Sequence, residues 1–225
     1  EFRRVLFRSG NFDFDEEYLD QELENILNHP APAYTELSYW NSRYENTLKD
    51  GSFEWFLPFQ QIKPMLSKYI TSSGIALNVG CGNSEMSADL LSTSINKVIS
   101  IDFSDVVITQ MRAKYQSEKR LEWVTMNCEK MVRFQSKMFD YVFEKGTLDT
   151  LLCSETSVKV VESTLKEIAR VMKPNGLFFS ISYGIPSTRK QFFDSQTFTL
   201  VDTLPVEKAP LPAHYVYVMK INDKV

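Results

Sequence analysis

Cysteine and histidine are scarce in this chain of 225 residues, and long apolar runs are missing. The three cysteines form no CxxC pair, and the two histidines are too few to complete a zinc site with them. An odd number of cysteines also argues against a disulfide framework, so we expect a reducing, cytoplasmic setting and no metal. The apolar runs are far shorter than the roughly 20 residues that cross a bilayer, so no membrane span is expected.

An excess of positive charge is missing as well. The chain has 29 acidic and 25 basic side chains, which gives a net charge of -4. A main partner among nucleic acids is therefore not expected, because binding to phosphates needs a basic surface. The apolar fraction of 43% is ample for a packed core, and the length suits one ordinary globular domain.

The first part of the chain divides into two segments that differ from the rest. Residues 1–9 carry three Arg and one Glu and resemble neither a signal peptide nor the remainder of the chain, so we expect an artefactual leader without a role in folding. Residues 10–33 are acidic and have the spacing of a short amphipathic helix, either a solvated surface helix or an arm that docks a partner. The folded domain is predicted for residues 34–225.

Short apolar runs alternate with segments of helical period after Gly74. Such strands, apolar on both faces, predict a mostly parallel sheet covered by helices on each side. The predicted strands are Ile75–Val79, Val98–Ile101, Trp123–Met126, Phe139–Phe143, Leu177–Ile181 and a closing strand at His214–Ile221.

Two of the intervening helices have clear signals. Ser104 is a predicted N-cap for a helix with an apolar face that includes Val107 and Met111. A second helix, with Val161 to Met172 recurring at helical spacing, is predicted to end at the Lys173-Pro-Asn-Gly176 sequence.

The residues that come directly after each strand are informative, because ligands of open α/β sheets bind at the carboxyl ends of the strands. The first strand ends in a turn with Gly80 and Gly82, which would let backbone approach a ligand closely. The second strand ends in Asp102, 22 residues after Gly80, the expected place for a carboxylate that accepts both hydroxyls of a ribose.

A nicotinamide nucleotide is disfavoured, because Glu85 stands where the third glycine of a GxGxxG turn would lie against a pyrophosphate. S-adenosylmethionine is a nucleoside without phosphate and is the predicted ligand. After the third strand, the Asn127 amide and the backbone of Cys128 are predicted to read the adenine edge, with Phe103 against the ring.

Several sequence blocks together resemble a known family. GCGNS, the IDFS turn and FEKGTLDTLL, preceded by Tyr39-Trp40-x-x-Arg43-Tyr44 and Glu54-Trp55-Phe56, are similar to eukaryotic class I methyltransferases of the methyltransferase-like group. That group modifies lysines of translation elongation factor 1-alpha and includes a relative fused to an endothelin-converting enzyme. The resemblance extends from about Tyr34 to Ile221 and implies a Rossmann-like, doubly wound, seven-stranded sheet of order 3-2-1-4-5-7-6 with an antiparallel last strand.

The resemblance also implies roles for individual residues. Trp40, Tyr44 and Trp55 would lie over the methionine end of the cofactor, where aromatic faces suit a sulfonium. Arg43 would help to bind the cofactor carboxylate, and Lys145 would lie near the methionine moiety.

The remaining roles implied by the resemblance concern the nucleoside. Gly80 and Gly82 would contact the cofactor by backbone, and Asp102 would hold the ribose. Phe103 would pack on the adenine, whose edge Asn127 and Cys128 would read.

The chain departs from the family pattern in three places. Asn78 and Asn127 stand where many members have an acid, and an amide at position 127 would bind adenine more weakly. The segment from Gly184 to Pro212, which would shape the substrate entrance, matches the family least.

The predicted activity is methylation of a protein lysine, with elongation factor 1-alpha as the partner of a monomeric enzyme. Methylation of a small molecule or an N-terminal amine is an alternative, as is an inactive adaptor that binds S-adenosylmethionine. No catalytic residue is assigned, although the positions of Glu144 and Asp149 make them candidates for accepting the proton of a lysine.

Overall fold

The centre of the protein is a seven-stranded sheet of order β3-β2-β1-β4-β5-β7-β6, in a computed structural model that describes residues 32–47, 51–153, 157–206 and 214–222. The predicted strand order is therefore confirmed. The strands are β1 Ile75–Val79, β2 Lys97–Asp102, β3 Leu121–Thr125, β4 Phe139–Lys145, β5 Met172–Ser182, β6 Phe198–Val206 and β7 His214–Ile221.

Strand direction reverses at β7 and reverses again at the edge strand β6. The β1–β2, β2–β3, β1–β4 and β4–β5 pairs are parallel, whereas β7 is antiparallel to both β5 and β6. The parallel part aligns the carboxyl ends of β1, β2 and β4 at one edge, as the class of fold requires. The antiparallel closing strand implied by the family resemblance is confirmed.

Helices cover the sheet. The Ser104 hydroxyl accepts a hydrogen bond from the Val107 N–H at 3.5 Å, so the predicted N-cap is confirmed. The helices are α1 Leu37–Thr47, α2 Phe59–Leu66, α3 Met86–Leu90, α4 Asp105–Lys114, α5 Thr147–Leu151, α6 Ser157–Val171 and α7 Pro186–Phe193.

The structure corrects the predicted end of the long helix. Helical spacing places Met172 on α6, but this residue begins β5 and pairs with Phe139, while the next paired residue is Leu177. The Lys173-Pro-Asn-Gly176 sequence is therefore an irregularity within β5 rather than a turn before it. Proline cannot donate to the sheet ladder, which accounts for the interruption of pairing.

The core lies on both faces of the sheet. Alternate residues of β1 face opposite layers: Ala76 packs in one buried cluster with α1, α2 and α4, and Leu77 packs in the other with α6. Strands that are apolar on both faces predict this arrangement. It leaves the strand ends open to solvent as the place where polar side chains collect.

The described residues include no helix that is long and apolar enough to span a membrane. In the same ranges, no three His, Cys, Asp or Glu side chains are grouped as a metal site would need. The expected leader, residues 1–9, and nearly all of the acidic segment, residues 10–33, lie outside the described residues.

Candidate active site

A cavity of about 1000 Å³, including its open mouth, lies at the carboxyl ends of β1, β2 and β4. Loops after β1 and β3 form its sides, and α1 with the segment after it forms its apolar wall. Ten of the residues predicted to bind cofactor line this cavity: Trp40, Tyr44, Trp55, Gly80, Gly82, Asp102, Phe103, Asn127, Cys128 and Lys145.

The loop between β1 and α3 brings backbone to the cavity surface. Gly80 adopts a positive φ of 63°, and the next amide, of Cys81, donates to the Ile101 carbonyl at 3.0 Å. Across the loop, the Thr147 hydroxyl donates to the Val79 carbonyl at 3.0 Å and fills the space in front of Gly80. The loop is thus fixed by β2 on one side and by the start of α5 on the other.

Asp102, at the end of β2, is buried and rigidly oriented. Its Oδ2 accepts a hydrogen bond from the Gly82 N–H and its Oδ1 accepts one from the Ser104 N–H, both at 3.0 Å. Burial nevertheless raises the pKa of Asp102 to about 6, while these N–H groups act in the opposite direction. A carboxylate held in this way is suited to accepting hydrogen bonds from ligand hydroxyls.

The predicted adenine side is formed by residues after β2 and β3. Phe103 is half-buried, whereas Asn127 is exposed and its Oδ1 accepts the Glu129 N–H at 2.8 Å. The Cys128 thiol lies 3.6 Å from the Thr164 hydroxyl, and burial raises its pKa to about 11, so it is neutral. Because the Asn127 oxygen already has a partner in its own turn, its contact with adenine stays a prediction.

Five aromatic side chains form what we call the aromatic wall of the cavity. Trp40 is central, stacked on Tyr44 with ring centroids 5.7 Å apart and lying 6.1 Å from Trp55. Its indole N–H donates to the Tyr34 carbonyl at 2.7 Å, which fixes the start of the domain against α1. The members of the wall are Tyr34, Trp40, Tyr44, Phe53 and Trp55.

Arg43 lies against two rings of the aromatic wall. It does not line the cavity, and its guanidinium carbon lies 4.9 Å from the Phe53 ring centroid and 5.1 Å from that of Trp55. An Arg cation over aromatic faces is a favourable contact. The charge of Arg43 thus supports the wall, and its role as a ligand of the cofactor carboxylate stays a prediction.

Lys145 lies at the cavity surface but its ammonium is already paired. It contacts the Glu54 carboxylate in a buried ion pair and donates to the Leu57 carbonyl at 3.1 Å. Burial lowers the pKa of Lys145, and the Glu54 charge opposes that change. The sequence pattern assigns Glu54 no role of its own, although this residue belongs to the Glu54-Trp55-Phe56 block of the family resemblance.

Glu144 and Asp149, the positional candidates for a proton acceptor, do not line the cavity. Glu144 is fully buried and caps α5, where its Oε2 accepts the Thr147 and Leu148 N–H groups at 3.0 and 3.2 Å. Burial raises its pKa to about 8. Asp149 pairs with the buried Arg189 at 2.7 Å. Both carboxyls therefore stabilise the fold around α5, and a role for either as proton acceptor stays a prediction.

Other cavity residues were not predicted. Thr147, one residue past the Lys145-Gly146 pair, and Ser84, in the loop after Gly82, both line the cavity and hold its loops by hydrogen bonds. Their positions at strand ends were available from the sequence, but the Thr147 hydroxyl donates to the β1 backbone and the Ser84 hydroxyl donates to the distant Glu54 carboxylate. Only the three-dimensional arrangement identifies such contacts.

The residues present fit S-adenosylmethionine. The cavity combines one buried carboxylate, Asp102, with backbone of a glycine loop and an apolar aromatic wall. At the Glu85 position, where a dinucleotide fold needs glycine, the carboxylate instead pairs with Lys114 and the Tyr115 hydroxyl. A nucleoside with hydroxyls and a sulfonium matches this donor set, whereas a pyrophosphate does not.

This strand order is the one that the resemblance to class I methyltransferases implies, and the cavity lies at the strand ends where such a fold binds its ligand. Residues 77–180 match the family described as "Methyltransferase domain". The structure of the Burkholderia thailandensis 1,6-didemethyltoxoflavin-N1-methyltransferase, bound to its substrate and S-adenosylhomocysteine, aligns with a TM-score of 0.62 over 96% of this chain and 93% of that chain. At 15% identity, this likeness concerns the fold alone.

Curated proteins with similar sequences are also methyltransferases by name. The chain is 34% identical over 169 residues to the Bos taurus protein named EEF1A lysine methyltransferase 4, covering 72% of this chain and 66% of that protein. It is 30% identical over 161 residues to the Homo sapiens eEF1A lysine and N-terminal methyltransferase, covering 70% of this chain and 23% of that protein. The match thus spans just under two thirds of the first relative and less than a quarter of the second. The chain is therefore similar to these methyltransferases over about 70% of its own length.

Proposed function

We propose that the chain is an S-adenosylmethionine-dependent protein-lysine methyltransferase that acts on elongation factor 1-alpha. The reaction type is carried by one observation, the buried Asp102 carboxylate facing a cavity with an aromatic wall. The substrate is supported by the names of the relatives at 34% and 30% identity. A translation factor as substrate implies that the proposed activity is cytoplasmic. Because the cavity is lined by residues of one chain, we also propose a monomeric enzyme.

In this proposal, different residues of the cavity hold different parts of the cofactor. Asp102 accepts hydrogen bonds from the ribose hydroxyls, Phe103 packs against adenine, and the glycine loop offers backbone without side chains. The aromatic wall covers the sulfonium end, where the electron-rich ring faces favour a cation. When bound, S-adenosylmethionine supplies a methyl group on a positively charged sulfur.

The aromatic wall also favours loss of the proton from the substrate lysine that accepts the methyl group. A lysine must lose its proton before its amine can be a nucleophile, and an apolar, water-poor channel lowers the pKa of an ammonium. Because Glu144 and Asp149 are committed to α5 and Arg189, we assign no side chain as the proton acceptor. Positioning and exclusion of water then provide most of the rate enhancement.

A second candidate is methylation of a protein N-terminal amine. It is favoured by the name of the Homo sapiens relative, which includes both lysine and N-terminal activities. Methylation of an N-terminal amine and methylation of a lysine amine need the same cofactor-binding residues. The two reactions differ in the cavity entrance that admits the substrate. The two activities are therefore separated by the substrate and not by the cavity.

The test is mass spectrometry of purified elongation factor 1-alpha after incubation with the chain and S-adenosylmethionine. We expect added methyl groups on a lysine peptide, and no addition with an Asp102→Ala variant as control. Methylation confined to the N-terminal peptide would favour the second candidate. Labelling of another protein from an extract, without labelling of elongation factor 1-alpha, would contradict the proposed substrate and leave the reaction type standing.

The position of Trp55 in the aromatic wall leads to a separate prediction about the turnover number. Replacing Trp55 with alanine opens the wall beside Trp40 and Phe53, whose ring centroids lie 6.1 and 5.2 Å from that of Trp55. We expect the turnover number to fall by on the order of a hundredfold, because small misplacements of reactants are costly. The affinity for S-adenosylhomocysteine should fall by less, as measured by calorimetry.

Trp55→Phe is the matched control, since it keeps an aromatic face and should retain most of the turnover. If Trp55→Ala lowered affinity and turnover by the same factor, the ring would serve the cofactor alone. That result would contradict a role for Trp55 in shaping the lysine channel.

A further inference from the structure

We propose that Glu54 is a positioning residue that ties the aromatic wall to the two strand-end loops of the cavity, so that cofactor affinity depends on a side chain that does not line the cavity. The inference deepens the proposed function and rests on its cofactor part, not on the identity of the protein substrate. It concerns residues 53–57, which we call the 53–57 segment.

Three groups from two different loops converge on the Glu54 carboxylate. The Ser84 hydroxyl donates to it at 2.8 and 3.0 Å, and the Glu85 N–H donates at 2.6 Å; both belong to the loop after β1. Lys145, at the end of β4, completes the set with its ammonium. Glu54 therefore bridges the β1 and β4 ends from above the sheet edge.

The segment on either side of Glu54 forms cavity wall. Phe53 and Trp55, its sequence neighbours, both line the cavity, and the Leu57 carbonyl accepts the second hydrogen bond of Lys145 at 3.1 Å. Because the segment is held by the Glu54 side chain and by the Leu57 carbonyl, we infer that the Trp55 ring between them has little freedom to move. The contacts of one carboxylate thus fix the orientation of two aromatic rings.

Burial makes these contacts strong and costly to lose. The Lys145 side chain is 5% exposed and that of Glu54 is 21% exposed, so the pair is largely shielded from water. Removing one partner of such a pair leaves the other charge buried without compensation. An isolated surface pair, by contrast, contributes little.

Arg43 supports the same segment from the other side. Its guanidinium lies over both Phe53 and Trp55, so α1 and the Glu54 contacts hold the two rings between them. The wall is therefore organised by two charged residues that do not line the cavity, and Glu54 is the one with direct contacts to the loops.

The experiment uses tryptophan fluorescence and calorimetry on the full chain. Of the three tryptophans, Trp40 and Trp55 belong to the wall, so a Trp123→Phe background reports on the wall alone. Within the part of the chain that the structure describes, the Trp123 indole N–H has no hydrogen-bond partner, so this background loses no hydrogen bond there. The matched control is Glu122→Ala, which removes an exposed carboxylate paired with Lys97 on the surface.

With Glu54→Ala, we expect acrylamide to quench Trp40 and Trp55 more strongly in the ligand-free chain. We also expect the affinity for S-adenosylhomocysteine to fall about tenfold or more, since the wall is no longer preorganised for binding. Glu54→Gln keeps an acceptor for the Glu85 N–H and should be intermediate in both measurements. Glu122→Ala should match the parent chain.

A double variant separates positioning from charge. Glu54→Ala with Lys145→Met removes both charges, so no buried ammonium is left unpaired, but the tie to Ser84 and Glu85 is still lost. We expect quenching to stay high and affinity to stay low. Restoration of the parent affinity would overturn the proposal, because Glu54 would then only neutralise Lys145.

Two further outcomes would overturn it. Unchanged quenching with Glu54→Ala would mean that the wall does not depend on this carboxylate, whatever happens to affinity. Raised quenching with unchanged affinity would mean that the position of the wall does not govern binding. The quenching needs no ligand, so failure of the parent chain to bind S-adenosylhomocysteine would contradict the proposed function as a separate result.

Discussion

Replacing Gly80 with alanine is expected to lower the affinity for S-adenosylhomocysteine by more than about a hundredfold, which corresponds to roughly 3 kcal/mol. Gly80 has a φ of 63°, and a Cβ there would lie 2.1 Å from the Thr147 Oγ1. Two costs therefore add, because a non-glycine residue at positive φ is strained and the new methyl group overlaps the Thr147 side chain. The loop would have to move away from β4, and the cavity surface would move with it.

Controls separate these two costs. Gly51 has a φ of 82°, and a Cβ added there would meet no atom of the described residues within 4 Å, so Gly51→Ala carries backbone strain without overlap. It should lower the affinity only slightly. Adding Thr147→Ala to Gly80→Ala should recover part of the lost affinity, because the overlapping hydroxyl and methyl groups are gone. Calorimetry that gave Gly80→Ala the affinity of the parent chain would contradict the structure of this loop.

The sequence was sufficient for the parallel part of the sheet. Runs such as Ile75–Val79 are apolar on both faces, a pattern that few other structures share. The N-cap at Ser104 was also predicted correctly from the residue type and the apolar spacing that follows it. Strand β6 was not predicted, because its residues are only partly buried and alternate poorly. An edge strand with such a pattern, interrupted between Leu200 and Asp202, has no clear period to detect.

A residue of the candidate site could be predicted when its type and its position at a strand end were enough to indicate its role. Asp102 and Gly80 were such cases, because a carboxylate and a missing side chain have local signatures. The aromatic contacts of Arg43 were not predictable, since the sequence gives no means of telling whether a cation meets a ligand or an aromatic ring. Glu54 was missed because its partners Ser84 and Lys145 lie 30 and 91 residues away in the chain.

The second large effect is expected at Asp102 and concerns the pH dependence of ligand affinity. Burial raises its pKa from an ordinary value of 3.8 to about 6 in the ligand-free protein. Ribose hydroxyls donate more strongly to a carboxylate than to a neutral acid, so ligand binding favours the deprotonated form. The affinity for S-adenosylhomocysteine should therefore be level above about pH 7 and fall by up to about tenfold for each pH unit below about 6, as one proton is linked to binding.

The same pKa has the opposite effect on folding. Because the folded protein holds the Asp102 proton more tightly than the unfolded chain, this group favours folding below about pH 4, and that contribution is lost as pH rises through about 6. An Asp102→Asn variant stays neutral throughout. It should gain stability over the parent chain between about pH 5 and about pH 7.5 by up to roughly 3 kcal/mol, less the cost of turning an amide NH2 toward the Gly82 or Ser104 N–H.

Measuring both proteins across the same pH range cancels other titrating groups, including Glu144, whose pKa of about 8 is common to both. Asp102→Asn should bind S-adenosylhomocysteine at least about tenfold more weakly at about pH 8, and its affinity should no longer depend on pH between about 5 and about 7. A pH profile that kept its shape in the variant would assign the dependence to another group. A variant that bound as tightly as the parent chain would remove Asp102 from the ribose site, because the charge of this carboxylate would then contribute nothing to binding. The folding energy that the buried carboxylate costs is explained only if the carboxylate binds the ligand.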